Sequence, residues 1–301
     1  MKFSIITPAY DVGTWLPQTI ESVLSQAGDF EIEYILVIND SPDNTLTVAQ
    51  EYKQKLDSGS YPIACKKISM RIIESGKPNG MYVAINEGFA NATGDIFAWI
   101  AGDDMYQPHA FETASLAFAS YPDMQWLKGK TATINEQGER LHEGGCRTYR
   151  RDWLSMGVYG TEAYHVEQDS TFWRPELWHN TGPFPNYFKS SGDYWLWIQF
   201  AKYASLWSID ASFSCFRKRE GQDSRVNAER LEAQKRQARG GRPLLAYIPR
   251  LFFWPYYHSP AKLKPLFDAL YPYVFPFTSR EYLVREGDTI KKRTMKTFHV
   301  Q

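Results

Sequence analysis

The first hundred residues of this chain alternate short apolar runs with amphipathic segments, and the connections between them are brief. Phe3-Ser4-Ile5-Ile6-Thr7 reads as a strand, followed by the loop Pro8-Ala9-Tyr10-Asp11-Val12-Gly13. Residues 16–26 set Leu16, Ile20, Val23 and Leu24 on one helical face. A second strand over Ile32–Ile38, a helix over Thr47–Leu56, a third strand over Met70–Ile73 and a helix over Tyr82–Ala92 follow in turn. Gly94-Asp95 then opens a fourth apolar run that stops abruptly at Gly102-Asp103-Asp104, with Pro108 at the start of the next helix. Strand, helix, strand, helix with such short links implies right-handed crossovers and a mostly parallel α/β sheet flanked by helices.

In a sheet of this kind every loop at the carboxyl end lies on one side, so Tyr10, Asp40 and the Asp103-Asp104 pair are expected to converge on one crevice. Adjacent carboxylates suit a hard divalent cation, Mg²⁺ or Mn²⁺, shared with the phosphates of a nucleotide. The competing reading of the pair is an acidic turn before the next helix. The loop after the first strand carries neither Gly-x-Gly-x-x-Gly nor a phosphate-cradling Gly-Lys loop, which argues against a dinucleotide dehydrogenase and a P-loop enzyme. The 34 basic and 34 acidic residues cancel, so no global field favours nucleic acid. Cys65, Cys146 and Cys215 lack paired metal-ligand spacing, fitting a reducing cytoplasm. With no secretory leader at the N-terminus and no run of about 18 apolar residues, a cytoplasmic protein is expected.

Six segments, in order over residues 2–225, resemble the family 2 glycosyltransferases. They are Ser4-Ile5-Ile6-Thr7-Pro8-Ala9-Tyr10-Asp11 with Ile20–Gln26; Val37-Ile38-Asn39-Asp40-Ser41-Pro42-Asp43-Asn44-Thr45; Asn79–Gly88 with Ala92-Thr93-Gly94-Asp95; Gly102-Asp103-Asp104; Gln168–Arg174 with Gly182-Pro183-Phe184 and then Gly192-Asp193-Tyr194-Trp195-Leu196-Trp197; and Phe216–Ser224. The resemblance implies a GT-A fold, a Rossmann-like, mostly parallel sheet. It also implies a role for each matching position. Pro8 and Tyr10 border the nucleobase, and Asp40 accepts from the base's N–H. Asp103 lies near the ribose, with Arg219 beside the nucleotide, and Asp104 holds the divalent cation on the diphosphate. Asp193 is the general base that deprotonates the acceptor hydroxyl. This chain departs from the family pattern at Asp11, at Asn39, in the Lys77-Pro78-Asn79 stretch, at Gly192 where an acid often precedes the base, and at Arg219 where a histidine is common.

Structural roles compete at several positions: Asp40 or Asp43 as the cap of the next helix, Asp193 as an N-cap, and Arg217-Lys218-Arg219 as a solvated basic turn or a diphosphate clamp. His165 and His179 read as packing or surface residues. Arg147, Tyr149, Arg150, Arg151, Trp153 and Trp173 supply the composition of an acceptor-binding surface. The expected organisation is a catalytic domain over 1–225, with a nucleotide half (1–105) and an acceptor half (106–225), followed by a helical, aromatic and Pro-rich extension over 226–301. Residues 225–242 read as a charged helix broken at Gly240-Gly241. Aromatics and cations over 244–277 fit either peripheral contact with a membrane interface or packing on the catalytic domain or a second subunit. The expected function is metal-assisted, inverting transfer of a sugar from a nucleotide sugar, a UDP-sugar, to a glycan or lipid-linked hydroxyl in surface polysaccharide assembly. The alternatives are a sugar-phosphate nucleotidyltransferase and a non-catalytic nucleotide-sugar-binding or assembly protein.

Overall fold

The structure, a computed structural model, describes residues 1–76, 80–161, 164–220, 227–240, 248–274 and 281–295. Its opening half alternates β1 (Lys2–Ala9), α1 (Leu16–Leu24), β2 (Gly28–Ile38), α2 (Thr45–Asp57), β3 (Cys65–Glu74), α3 (Met81–Ala90) and β4 (Ile96–Trp99), as the apolar periodicity predicts. There follow β5 (Met105–Tyr106), α4 (Ala110–Ser120), β6 (Trp126–Ile134), β7 (Arg140–Glu143), α5 (Arg151–Ser155), β8 (Thr171–Trp173), α6 (Pro175–Thr181), α7 (Gly192–Tyr203) and β9 (Leu206–Arg217). Helices over Ala228–Arg239, Ile248–His258 and Lys264–Val274 and a hairpin of β10 (Glu281–Glu286) and β11 (Thr289–Thr294) close the described chain. One sheet runs in the order β11-β10-β9-β6-β8-β4-β1-β2-β3, with β5 added to β9 and β7 to β6. The pairs β1·β2, β1·β4 and β2·β3 are parallel, whereas β8 is antiparallel to both β4 and β6.

The sheet is buried on both faces. Along β1, Ile6 packs into one aromatic-rich core with Phe89, Trp99, Trp126, Trp173 and Trp197, while Phe3 and Ile5 enter the other with Leu16, Ile20, Phe111 and Phe172. Such two-sided burial is why the first strands are continuous apolar runs rather than alternating ones. Between α3 and β4 the chain turns tightly against β1. A Cβ at Gly94 would lie 2.7 Å from Ser4 N and 2.8 Å from Lys2 O, so only glycine lets this turn abut the strand. The sheet's central strands therefore end together, and their loops form one rim.

Sequence reasoning missed the β10–β11 hairpin. Its Leu283 pairs with Ile209 and is fully buried, adding the hairpin to the sheet edge beside β9. Short polar strands rich in Lys, Arg and Glu carry little apolar signal of their own; they become legible only once the edge they cover is known. The expected charged helix is present as Ala228–Arg239 and stops at Gly240, whose φ is +69°. The expected aromatic stretch from residue 244 and the apolar run through Pro276 lie partly outside the described residues, at 244–247 and 275–277. Among the described residues no helix is long and apolar enough to cross a membrane.

Candidate active site

The turn after β4 carries the acids, and α1 and β9 fix it. Thr19 on α1 donates its hydroxyl to the Gly102 and Asp104 carbonyls, 2.9 and 2.7 Å away. The Arg217 main-chain N–H, at the end of β9, donates to Asp104 Oδ1 at 2.7 Å. The Arg217 side chain is fully buried and its guanidinium donates to the carbonyls of Asp103, Asn135 and Glu136 and to Gln18 Oε1. The basic run 217–219 is therefore split. Arg217 fastens the acidic turn from beneath, Lys218 is exposed, and Arg219 turns to the front, with Nε 2.6 Å from Asp103 Oδ2 and its guanidinium 4.8 Å from the centre of the Trp15 ring. Arg217 is thus no diphosphate clamp.

A cavity of about 430 Å³ opens over this turn, lined by Pro8, Tyr10, Asn39, Asp103, Asp104 and Arg219 among others. Gly80, Met81, Gln168, Lys189 and Ser190 also line it. Tyr10 is 46% exposed, leaving its ring face accessible. Its loop is held by the next one: Asp11 N–H donates to Ser41 Oγ at 2.8 Å and Gly13 N–H to Asp43 Oδ2 at 2.7 Å. Asp43 also accepts from Thr45 N–H at 3.1 Å at the start of α2, so Asp43, not Asp40, serves the helix end. Asp40 is exposed at the end of β2 and does not line the cavity; Asn39, its neighbour, does.

Asp103 and Asp104 are 7% and 3% exposed. Burial pushes the Asp104 carboxyl well up, and the nearby Asp103 and Asp169 carboxylates push it further, against the pull of the Arg217 N–H and guanidinium. A cation bound at this point would relieve that clustering of negative charge. Among the described residues no three His, Cys, Asp or Glu side chains gather into an all-protein cage. The donor set fits a hard divalent ion held by Asp104 and completed by ligand phosphates and water, the usual arrangement for Mg²⁺ and Mn²⁺. Asp169, buried beneath, accepts from Ser214 Oγ, and its carboxyl is raised to about 6, chiefly by burial.

Asp193 stands in the first turn of α7, with Ser191 at the N-cap position. It does not line the cavity, but Lys189 and Ser190 just before it do. Its carboxylate accepts from the Tyr82 hydroxyl at 3.2 Å. Burial raises its carboxyl above the usual range, opposed by the Tyr194 N–H, His165, Tyr82 and Lys235. His165 is exposed and His179 is exposed as well. The aromatic residues expected to face an acceptor are instead core: Tyr149, Trp153 and Trp173 are all buried. Arg150 is paired with Asp152, and Arg151 donates to the Ala201 and Lys202 carbonyls, so neither is a free recognition group. Composition alone had no means of separating core tryptophans from a binding face. Arg147 lies over the Tyr164 ring, 4.9 Å from its centre.

A mixed sheet whose parallel strands carry, at their carboxyl ends, loops around a cavity walled by paired acids and an arginine defines a class, the α/β proteins that bind their ligand at a sheet's carboxyl edge. The Glycosyl transferase family 2 model matches residues 4–124. An uncharacterized glycosyltransferase of Nostoc sp. is 28% identical over 153 residues, covering 48% of this chain and 44% of the relative. The minor teichoic acid biosynthesis protein GgaB of Bacillus subtilis is 36% identical over 112 residues, 36% of this chain and 11% of the relative. The matches to these curated relatives thus span less than two thirds of the relatives' length. Among solved structures, S. aureus TarS 1-349 in complex with UDP-GlcNAc superposes with a TM-score of 0.57 at 16% identity, covering 89% of this chain and 78% of that one. The mannosyltransferase PcManGT from Pyrobaculum calidifontis, in complex with GDP-Man and Mn²⁺, does so with a TM-score of 0.57 at 16% identity, covering 91% and 72%. Over residues 4–124 the chain is thus similar to glycosyltransferase family 2, and it shares the GT-A fold of these solved structures.

Proposed function

We propose that this protein is an inverting glycosyltransferase that moves a sugar from a nucleotide sugar, a UDP-sugar, to a hydroxyl of a glycan or lipid-linked saccharide. The observation that carries the reading is the cavity in which Tyr10, Asp103, Asp104 and Arg219 meet, with Asp193 beyond the cavity residues Lys189 and Ser190. Tyr10 offers a ring face to the base, and Pro8 borders it. Asp103, tied to Arg219, serves the ribose side, and Asp40, exposed beside the cavity residue Asn39, would accept from the base edge. Asp104 would hold a divalent cation, which would supply Lewis-acid neutralisation of the departing diphosphate. Asp193 takes the proton of the acceptor hydroxyl while that oxygen bonds to the anomeric carbon; the bond from that carbon to the diphosphate oxygen breaks on the opposite face, so the configuration inverts. TarS in complex with UDP-GlcNAc and PcManGT in complex with GDP-Man and Mn²⁺ support a nucleotide-sugar donor and a divalent cation. The name of GgaB supports a setting in surface polysaccharide assembly. Its site would then be the cytoplasmic face of the membrane, with the exposed apolar side chains of Ile248–His258 and Lys264–Val274 in peripheral contact with the lipid interface.

A thermal-shift panel of UDP-, GDP-, dTDP- and CDP-sugars with and without Mn²⁺ tests the donor assignment without an acceptor, because a ligand bound to the native state raises Tm. Stabilisation by a UDP-sugar that needs Mn²⁺ and is lost in Asp104→Ala is expected. No shift with any nucleotide would sink the reading.

A further inference from the structure

Tyr82 sits in the first turn of α3, beside the cavity residues Gly80 and Met81, and is 2% exposed. Its ring is pressed between Phe184, 4.7 Å away centre to centre, and the first residue of α7. There, a Cβ on Gly192 would come within 2.7 to 2.8 Å of three Tyr82 ring carbons, a distance that real side chains do not tolerate. The Phe184 loop is itself clamped to α3, since Asn86 Nδ2 donates to Phe184 O and Phe184 N–H to Asn86 Oδ1, both at 2.8 Å. Two helices from distant parts of the chain are thus brought together so closely that a tyrosine hydroxyl reaches the carboxylate on α7. It donates to Asp193 Oδ1 at 3.2 Å and lies 3.4 Å from the Asp193 N–H as an acceptor. The absence of an acid at position 192 has a steric reason here, for no side chain fits between α7 and the Tyr82 ring.

We infer that Tyr82 is the positioning residue of the catalytic base, its hydroxyl holding Asp193 Oδ1 so that Oδ2 is the oxygen offered to the acceptor hydroxyl. This inference rests on the glycosyltransferase reading. A buried aromatic ring with two degrees of side-chain freedom, both locked by packing, fixes a partner far better than a flexible side chain would. Tyr82 acts through Asp193 and touches no reacting atom. The other charged groups facing Asp193 are His165, from the segment before β8, and Lys235, from the helix Ala228–Arg239. Lys235 Nζ is itself committed to Gly160 O and Glu232 Oε1, each at 3.0 Å, and His165 is exposed. Neither donates a hydrogen bond to Asp193 as Tyr82 does.

Tyr82→Phe keeps the ring against Phe184 and Gly192 and removes one oxygen. The full chain and this variant are compared in kcat, donor KM, Tm and the pH dependence of kcat/KM with a UDP-sugar and a saccharide acceptor. Expected are an unchanged Tm and donor KM, a kcat lower by roughly tenfold, and an acid limb displaced to higher pH, because a hydrogen bond favouring the ionised carboxylate is gone. In an Asp193→Asn background the same change should cost nothing further, since the two groups act as one unit. A wild type that transfers sugar while Tyr82→Phe matches it in kcat and acid limb overturns the positioning role alone. A lower kcat with an unmoved acid limb, or an additive loss in the double variant, also overturns it. A wild type that shows no transfer with any donor overturns the glycosyltransferase reading and this one with it.

Discussion

Asp193 illustrates how a single side chain can be held at a cost to the fold. Burial is the main reason its carboxyl is raised, so the ionised form that a base requires is the one the folded protein tolerates less well. The sign follows: the folded state binds this proton more tightly than the unfolded chain, so Asp193 subtracts stability as pH rises through its raised pKa. Two outcomes are expected of Asp193→Asn. At neutral pH its Tm should rise, by roughly 2 °C, while kcat falls by about 10²–10⁴-fold with donor-induced stabilisation retained. Differential scanning fluorimetry and a transfer assay on the same sample read both. In the wild type, kcat/KM should fall as pH drops through a value above about 4, the ordinary carboxylate range. Arg217 makes the opposite point. A run of three cations reads as one surface cluster in sequence, yet main-chain hydrogen bonding draws the first inward and leaves only the third at the cavity.

Among the elements, β2 carries a buried tie that the strand pattern conceals. Glu33 accepts from Ser4 Oγ on β1, from Thr93 N–H at 2.7 Å, from Thr93 Oγ1 at 2.8 Å and from Lys2 Nζ at 3.2 Å. Burial alone would raise its carboxyl, but these donors together hold it below the usual range. The tie therefore joins β1 and β2 to the turn at Gly94 that leads into β4 and its terminal acids. Its contribution is present above the unfolded-state pKa and disappears as pH falls through the lowered folded value. Glu33→Gln should cost about 1–3 kcal/mol at pH 7 and far less near pH 3, read from urea midpoints at the two pH values. Equal losses at both would exclude an electrostatic tie. The loop of Tyr10 is fixed in a comparable way, by Ser41 and Asp43 from the neighbouring strand end, so the ligand rim is built by adjacent crossovers supporting each other.

On the scale of the whole molecule, the C-terminal segment belongs to the core as well as to the surface. Phe253 and Tyr256 are buried, with Phe253 against Trp153 and Tyr164 at ring distances of 6.0 and 6.2 Å. The hairpin beyond covers β9, and its Arg285 donates to Glu112 and Thr113 on α4. Cutting the chain after Gly240 would uncover both surfaces, so that truncation tests stability rather than lipid contact. On the outer side Leu251, Trp254, Leu263, Leu266 and Leu270 are exposed, with Lys262 and Lys264 alongside. Leu251→Glu with Trp254→Glu should leave Tm within about 2 °C, as exposed positions do, and abolish flotation of the full chain with anionic vesicles. Flotation equal to wild type would remove this face as the contact.

The sequence by itself determined the parallel half of the sheet, because apolar runs buried on two faces and amphipathic helices declare themselves through their own periodicity. It also marked the carboxyl-end loops, since topology puts Tyr10 and Asp103-Asp104 on one side whatever the details of packing. Tertiary structure decided what depends on contacts between segments far apart in the chain. It separated Arg217 from Arg219, gave the helix end at α2 to Asp43 and left Asp40 exposed, sent Trp153 and Trp173 into the core, and joined Tyr82 to Asp193 across 111 residues. It also attached a polar hairpin to β9. Periodicity is a local property of a chain, whereas burial of a charge, the choice between two caps and the approach of two helices at a glycine are settled only by what packs against each residue.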